Sequence, residues 1–229
     1  MNIPHFEAKP LKDWWKAYGL RLIGVFVLVL LPLYLFGVLA EDVIEKENIF
    51  FDQPVLRFVH ARATPVLDSW MIFFSRAGSG LVLVPFDTFI FTWLLLKKQR
   101  REAFFWGLAV GGASLINFLA KLGFSRARPS LWIPLMSETT FSFPSGHAMQ
   151  SMALATTLVI LFWHTRWQYV VLLLSVSFVI AVGLSRIYLG VHYPSDVLAG
   201  WCASVAWVGG LRPLVMNREL FKRLSPTST

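Results

Sequence analysis

The chain has 229 residues, of which 56% are hydrophobic and only 15% are charged, and its formal net charge is +8. Soluble domains carry about 25% charged residues, so this composition excludes a disordered chain and argues against a soluble globule. In so apolar a chain, the basic excess indicates loops at a membrane surface rather than a nucleic-acid partner. The single cysteine, Cys202, excludes an internal disulfide framework and a metal site built from several cysteines.

Six nearly uncharged runs of 15 to 19 residues follow one another along the chain: 22–40, 81–96, 103–120, 148–163, 169–184 and 197–211. A soluble helical bundle would show charge at every third or fourth residue, which these runs lack. Most are slightly shorter than the roughly 20 residues that cross a bilayer, but tryptophan, tyrosine and polar residues at their ends extend them into the interface. The sequence therefore predicts an all-α, polytopic membrane protein with six transmembrane helices, forming one domain over residues 1–229.

The basic residues orient these six spans. Thirteen of the 21 lie on one side, namely Lys9, Lys12, Lys16, Arg21, Lys97, Lys98, Arg100, Arg101, Arg166, Arg212, Arg218, Lys222 and Arg223. The other side begins with the acidic stretch 41–47. Because cytoplasmic loops are enriched in lysine and arginine, both termini are predicted to be cytoplasmic, and loops one, three and five to face outward.

The first run has a second interpretation as a cleaved signal peptide, because Val38 and Ala40 fit a small-residue cleavage site. However, its 19 residues exceed the usual core of about 7–15, and a long polar region precedes it. Cleavage would also break the alternation of charge. An uncleaved first span is therefore predicted.

Residues 49–79 are too polar to form a span. Val55, Phe58 and Val59 recur at helical spacing, while Arg57 and His60 lie on the opposite face. This pattern predicts an amphipathic helix on the outer membrane interface, between spans one and two. A connector packed against the other helices is the alternative.

Charge inside or beside the predicted spans is concentrated in the third and fifth loops, which share the outer face. Lys121, Arg128 and Arg186 supply three cations, with Asp196 the only nearby acid. Guanidinium groups bind phosphate oxygens in pairs, and lysine adds a point charge. Ionisable residues in or beside membrane spans usually serve a function. The predicted ligand is a phosphate.

The stretch Ser145-Gly146-His147 stands directly before the fourth apolar run. Free backbone N–H groups at a helix N-terminus form an anion site, and Gly146 lets the backbone approach the ligand closely. This position favours phosphate binding by Ser145 and Gly146.

Two histidines suit phosphoryl transfer. Asp196 follows His192 by four residues, so its carboxylate can hold one imidazole nitrogen protonated and leave the other as nucleophile. His147 can donate a proton to the departing oxygen as general acid. The pattern supports a phosphohistidine intermediate that water then attacks. Because the three cations stabilise the developing charge, no metal ion or cofactor is expected.

Three motifs carry a family resemblance. Lys121-Leu-Gly-Phe-Ser-Arg-Ala-Arg128-Pro129 resembles K-x6-R-P, the first motif of the type 2 phosphatidic acid phosphatase (PAP2) superfamily. The stretch 144–147 resembles its second motif, P-S-G-H, and 185–196 resembles its third, S-R-x5-H-x3-D. All eleven specified positions match in order and spacing. The resemblance covers residues 121–196, about a third of the chain, and the three motifs together are highly specific.

The resemblance implies a metal-independent membrane phosphatase that acts on a lipid phosphate, with its site on the periplasmic or extracellular face. In that family His192 would be the nucleophile, Asp196 its orienting partner and His147 the acid. The implied phosphate-binding residues are Lys121, Arg128, Ser145, Gly146 and Arg186. The superfamily also includes soluble vanadium haloperoxidases, and the apolar spans argue against that branch.

Other interpretations stay open at this point. A lipid phosphotransferase would use the same site with a lipid acceptor, and a transporter or non-catalytic lipid-binding protein is a weaker alternative. Undecaprenyl diphosphate, phosphatidylglycerophosphate and phosphatidic acid all suit the implied activity, and a bacterial inner membrane is the expected location. Arg126 has a surface role or a ligand role, and Asp87 is a further candidate inside the second run.

Overall fold

The computed structural model describes residues 19 and 22–217. Within them the chain forms helices and no strand, in the order α1 (Leu22–Ile44), α2 (Asp52–His60), α3 (Pro65–Ala77), α4 (Gly80–Leu96), α5 (Arg100–Phe124), α6 (Gly146–Phe162), α7 (Gln168–Tyr188) and α8 (Pro194–Val215). The predicted all-α class is confirmed. The basic residues of the two tails, Lys9, Lys12, Lys16, Arg21, Arg218, Lys222 and Arg223, lie outside the described residues.

Each of the six apolar runs falls on one of these helices, and only Trp163 extends past the end of its helix, α6. Four helices, α1, α5, α7 and α8, are long and apolar enough to cross a membrane. The pair α3 and α4 meets the same criterion when taken together, with a bend of 42° between them, and α6 is a shorter apolar helix of 17 residues. The structure therefore contains four candidate spans, or five with the bent pair, among the described residues.

Residues 49–79 hold two helices where the sequence predicts one. Helix α2 covers the amphipathic segment, and its Leu56 is fully buried against Ala148, Ile187 and Val197. The packing of α2 on α7 and α8 agrees with the alternative of a packed connector. Helix α3 was not predicted. It begins after Thr64, whose hydroxyl accepts the Leu67 N–H, with Pro65 in the first turn.

Helices α5, α6 and α8 pack around a core of small and medium side chains, which include Ala109, Ala113, Met149 and Val208. The outer faces of α1, α3, α4, α5 and α7 expose large apolar side chains over most of their length. A surface of this kind suits lipid rather than water. The charged residues lie mainly at the helix ends.

One end of the helix assembly is built from irregular backbone. The loop 125–145, the turn 189–193 and helix α2 lie there together with the first turn of α6 and the first turn of α8. Gly190 in the turn has a φ of +73°, which favours glycine, and a Cβ at this position would lie 2.6 Å from Nε1 of Trp132. The loop and the turn are therefore packed closely against each other.

Candidate active site

The eight predicted catalytic and phosphate-binding residues meet at this end of the molecule. Lys121 lies in the last turn of α5, Arg128 lies in the loop 125–145, and Arg186 lies near the end of α7. Ser145, Gly146 and His147 begin α6, while His192 and Asp196 flank the start of α8. The third and fifth loops, which the sequence places on the same face, lie together in the structure.

His192 and Asp196 form a buried pair. Nδ1 of His192 lies 3.4 Å from Oδ2 of Asp196, and both side chains are almost fully buried. Nε2 of His192 lies 3.1 Å from Nη1 of Arg128. Because a guanidinium has no acceptor, Nε2 must carry the lone pair and Nδ1 the proton. The nitrogen with the lone pair therefore faces Arg128.

The imidazole of His192 is neutral near pH 7. Burial lowers the pKa of His192 to about 4, and the carboxylate of Asp196 offsets this only in part, while Arg186 and Arg128 lower it further. A neutral imidazole is the form that a nucleophile requires.

Asp196 is held from several sides. Its Oδ2 accepts hydrogen bonds from Ser142 Oγ and, at 2.8 Å, from the backbone N–H of Tyr193. Its Oδ1 accepts one from Nη1 of Arg126 at 2.6 Å. The carboxylate that lies against Nδ1 of His192 is therefore itself fixed by three donors.

Thr140 connects two of the cations. Its hydroxyl accepts hydrogen bonds from Nζ of Lys121 at 2.8 Å and from Nη2 of Arg128 at 3.2 Å. Its carbonyl accepts one from Nε of Arg128 at 2.7 Å. The loop 125–145 thereby holds Lys121 close to Arg128, which contacts His192.

Arg186 is the most deeply buried cation of the site. It is fully buried and donates hydrogen bonds to Ser75 of α3 and to Glu138. Nη2 of Arg128 lies 3.9 Å from the other oxygen of Glu138. Burial opposes ionisation of Glu138, but Arg186 outweighs this effect and holds the pKa of the carboxyl below its ordinary value. The sequence predicts Asp196 as the only acid near the cations. That prediction is wrong, because the structure also places Glu138 there.

The start of α6 carries a buried donor without a partner. The hydroxyl of Ser145 is buried and has no hydrogen-bond partner among the described residues. A Cβ on Gly146 would lie 3.0 Å from Oδ1 of Asn117, so glycine keeps this helix start close to α5. His147 is partly buried and lies in the electrostatic field of Arg186, His192, Lys121 and Arg128. Anion binding by this helix start stays a prediction, which the unpaired hydroxyl of Ser145 supports.

Several residues of the site escape prediction from the motifs. Arg126 is neither a surface residue nor a free ligand, since it pairs with Asp196 and with Asp52 of α2. Glu138, Thr140 and Ser142 lie in the loop between the first two motifs. In the sequence, Arg126 stands out only as a basic residue on the side of the membrane that is predicted to be poor in basic residues. Among residues 19 and 22–217, no group of three or more histidine, cysteine or acidic side chains is arranged to hold a metal ion.

The family model of the PAP2 superfamily matches residues 102–219, just over half of the chain. This chain belongs to the PAP2 superfamily. The superfamily that the three motifs indicate is thereby confirmed, and with it the prediction of a membrane enzyme of the phosphatase class.

Known relatives of this PAP2 protein include lipid phosphatases. An undecaprenyl-diphosphatase of Sulfolobus acidocaldarius is 24% identical over 214 residues, which are 91% of this chain and 96% of that protein. Phosphatidylglycerophosphatase B of Bacillus subtilis is 29% identical over 170 residues, or 71% and 76% of the two chains. The crystal structure of a transmembrane PAP2-type phosphatidylglycerolphosphate phosphatase from Bacillus subtilis has a TM-score of 0.70 at 24% identity, covering 86% of this chain and 98% of that one. The fold is shared with that phosphatase.

Proposed function

We propose that the protein hydrolyses a lipid phosphate or diphosphate through a phosphohistidine on His192, without a metal ion. The observation that carries the proposal is the orientation of this imidazole. Nδ1 lies against Asp196, and Nε2 lies 3.1 Å from Arg128, among the side chains that can bind a phosphate. A nucleophile and an anion-binding group therefore face the same point.

The first step forms a bond between Nε2 of His192 and phosphorus, and breaks the bond between phosphorus and the leaving oxygen of the lipid. His147 gives its proton to that oxygen. Lys121, Arg128 and Arg186 stabilise the phosphoryl oxygens, together with Ser145 and the backbone at Gly146.

The second step returns the enzyme to its starting state. A water oxygen attacks phosphorus, the P–N bond breaks, and His147 takes a proton from the water. Inorganic phosphate leaves, and Nε2 of His192 regains its lone pair. Asp196 stays ionised in both steps and stabilises the positive imidazole of the intermediate.

The proposed setting is a multi-pass protein of a bacterial inner membrane, with six spans and both termini in the cytoplasm. Counting α6 and the bent pair α3–α4 as one span each supports this number. The distribution of basic residues supports a site that faces the periplasm. Undecaprenyl diphosphate and phosphatidylglycerophosphate are the substrates that the relatives' activities favour.

The proposal is tested by the release of inorganic phosphate from purified lipids in detergent micelles. The panel is undecaprenyl diphosphate, phosphatidylglycerophosphate, phosphatidic acid and lipid A. We expect the wild-type protein to release phosphate from at least one lipid, also in the presence of EDTA, and H192A to release none. H164A is the matched control, because His164 is an exposed histidine outside the site, and it should match the wild type.

Three results would contradict the proposal. Full turnover by H192A would exclude the phosphohistidine. A strict requirement for added magnesium would exclude the metal-free site. Phosphate that appears only on a second lipid, with no free inorganic phosphate, would assign the protein as a phosphotransferase.

A further inference from the structure

Arg126 bridges two buried carboxylates from different parts of the chain. Its Nη1 donates to Oδ1 of Asp196 at 2.6 Å, and its Nη2 donates to Oδ2 of Asp52 at 2.8 Å. Asp52 is 3% exposed and Asp196 is fully buried. The ring of Tyr193 covers the guanidinium, with its centroid 4.2 Å from Cζ of Arg126. The guanidinium is therefore held in one orientation by α2, by α8 and by an aromatic face.

Asp52 ties the same bridge to the start of α8. Its two oxygens accept hydrogen bonds from the backbone N–H of Ser195 at 2.9 Å and from the hydroxyl of Ser195 at 2.6 Å. That hydroxyl also accepts a hydrogen bond from Nη1 of Arg126 at 2.8 Å. Asp52 therefore holds both Arg126 and the residue that precedes Asp196.

Arg126 places one positive charge between the two buried carboxylates of this cluster. Two buried carboxylates without a cation between them do not both stay ionised, because each disfavours the charge on the other. With the guanidinium between them, one positive charge is shared by Asp52 and Asp196. The titratable side chains in contact with Asp196 are His192 at Oδ2 and Arg126 at Oδ1, and Ser142 and the backbone N–H of Tyr193 also donate to Oδ2.

We infer that Arg126 and Asp52 are positioning residues for the reaction at His192. Arg126 binds Oδ1 of Asp196, so that Oδ2 is presented to Nδ1 of His192, and it keeps Asp196 ionised. Asp52 fixes Arg126 and the first turn of α8. This inference rests on the proposed function, since it assigns to Asp196 the role of orienting the nucleophile.

A solvent-accessible cavity provides a direct test. Arg126 and Asp52 line an open cavity of about 640 Å³, which is also bordered by Val43, Phe124 and Tyr193. A guanidinium ion from solution can therefore reach the space that a truncated Arg126 leaves. The substrate in the test is the lipid of the panel above that the wild-type protein hydrolyses fastest.

R126A is expected to lower kcat roughly 10- to 100-fold, which is typical for the loss of a hydrogen-bonding partner that orients an active-site group. KM should stay within about twofold, because the phosphate-binding cations are untouched. Guanidinium at millimolar concentration should restore a large part of kcat in R126A and leave the wild type unchanged. A residue that only supports the fold would not respond to a free ion in this way.

The double variant D52N/R126A tests whether Arg126 acts by offsetting the negative charge of Asp52 next to Asp196. Replacing Asp52 by Asn in the R126A background removes the anion next to Asp196 but keeps an oxygen that can accept the Ser195 N–H, so kcat of the double variant should exceed that of R126A. Additive losses, with the double variant less active than R126A, would overturn the inference. Should R126A fail to fold, R126K takes its place, because one ammonium cannot bridge both carboxylates.

The matched control is D68N. Asp68 accepts a hydrogen bond from Tyr188 on the same outer end of the molecule, but it does not contact Asp196. D68N should keep the wild-type kcat. R126A that folds and turns over at the wild-type rate, or that guanidinium does not restore, would overturn the positioning role alone. Turnover by H192A would overturn the proposed function instead, so the two failures are distinguishable.

Discussion

At the scale of single residues, Glu138 places an anion inside the cluster of cations. Its carboxylate is hydrogen-bonded to Arg186 and lies 3.9 Å from Arg128. A bound phosphate must compete with this carboxylate for the same guanidinium groups. E138Q should therefore bind inorganic phosphate more tightly, by roughly tenfold if one charge-assisted hydrogen bond is released to the ligand. The measurement is the inhibition constant of inorganic phosphate against lipid hydrolysis.

E102Q is the matched control for this change. Glu102 pairs with Arg101 at the opposite end of the helices, so its loss should leave phosphate inhibition unchanged. Phosphate inhibition that weakens in E138Q would contradict the competition, since it would mean that Glu138 helps to form the anion site.

At the scale of the elements, the turn between α7 and α8 decides where His192 lies. Gly190 has a positive φ, and its Cα faces the indole of Trp132, which in turn stacks on His60 of α2 at 3.9 Å between ring centroids. G190A should cost about 1–3 kcal/mol from backbone strain alone. The Cβ would also displace Trp132. We expect a lower thermal midpoint together with reduced turnover.

G111A is the comparison for this substitution. Gly111 lies inside α5, and a Cβ added there would meet nothing within 4 Å, so alanine should be neutral or should stabilise by about 0.5–1 kcal/mol. Equal midpoints for G190A and the wild type would show that the turn tolerates a side chain.

The sequence predicts the motif residues of the site better than the residues that hold them in place. The three motifs have fixed spacings, and the eight residues they predict lie together in the structure. Asp52 and Glu138 have no fixed spacing to a motif, because they reach the site through packing of α2 and the loop 125–145. Helix α3 escaped prediction because polar residues such as Asp68 and Arg76 lower the hydropathy of its segment, although it is apolar enough when joined to α4.

At the scale of the whole molecule, the charges separate into two ends. Arg101 donates a hydrogen bond to the carbonyl of Met216, so the start of α5 and the end of α8 lie together. Arg166 lies in the loop that joins α6 to α7, away from the site. The opposite end holds Arg126, Arg128 and the two histidines of the motifs, His147 and His192. An apolar surface between two polar ends is the arrangement expected of a protein that spans a bilayer.

The orientation of the two ends is testable with single cysteines in a C202A background. S137C lies in the exposed part of the loop 125–145, and H164C lies in the exposed loop between α6 and α7. Because basic loops favour the cytoplasm, a membrane-impermeant maleimide should label S137C in right-side-out vesicles, and H164C only after the vesicles are permeabilised. Both variants should retain lipid hydrolysis, which verifies that they are folded. The opposite labelling pattern would place the site in the cytoplasm and contradict the predicted topology.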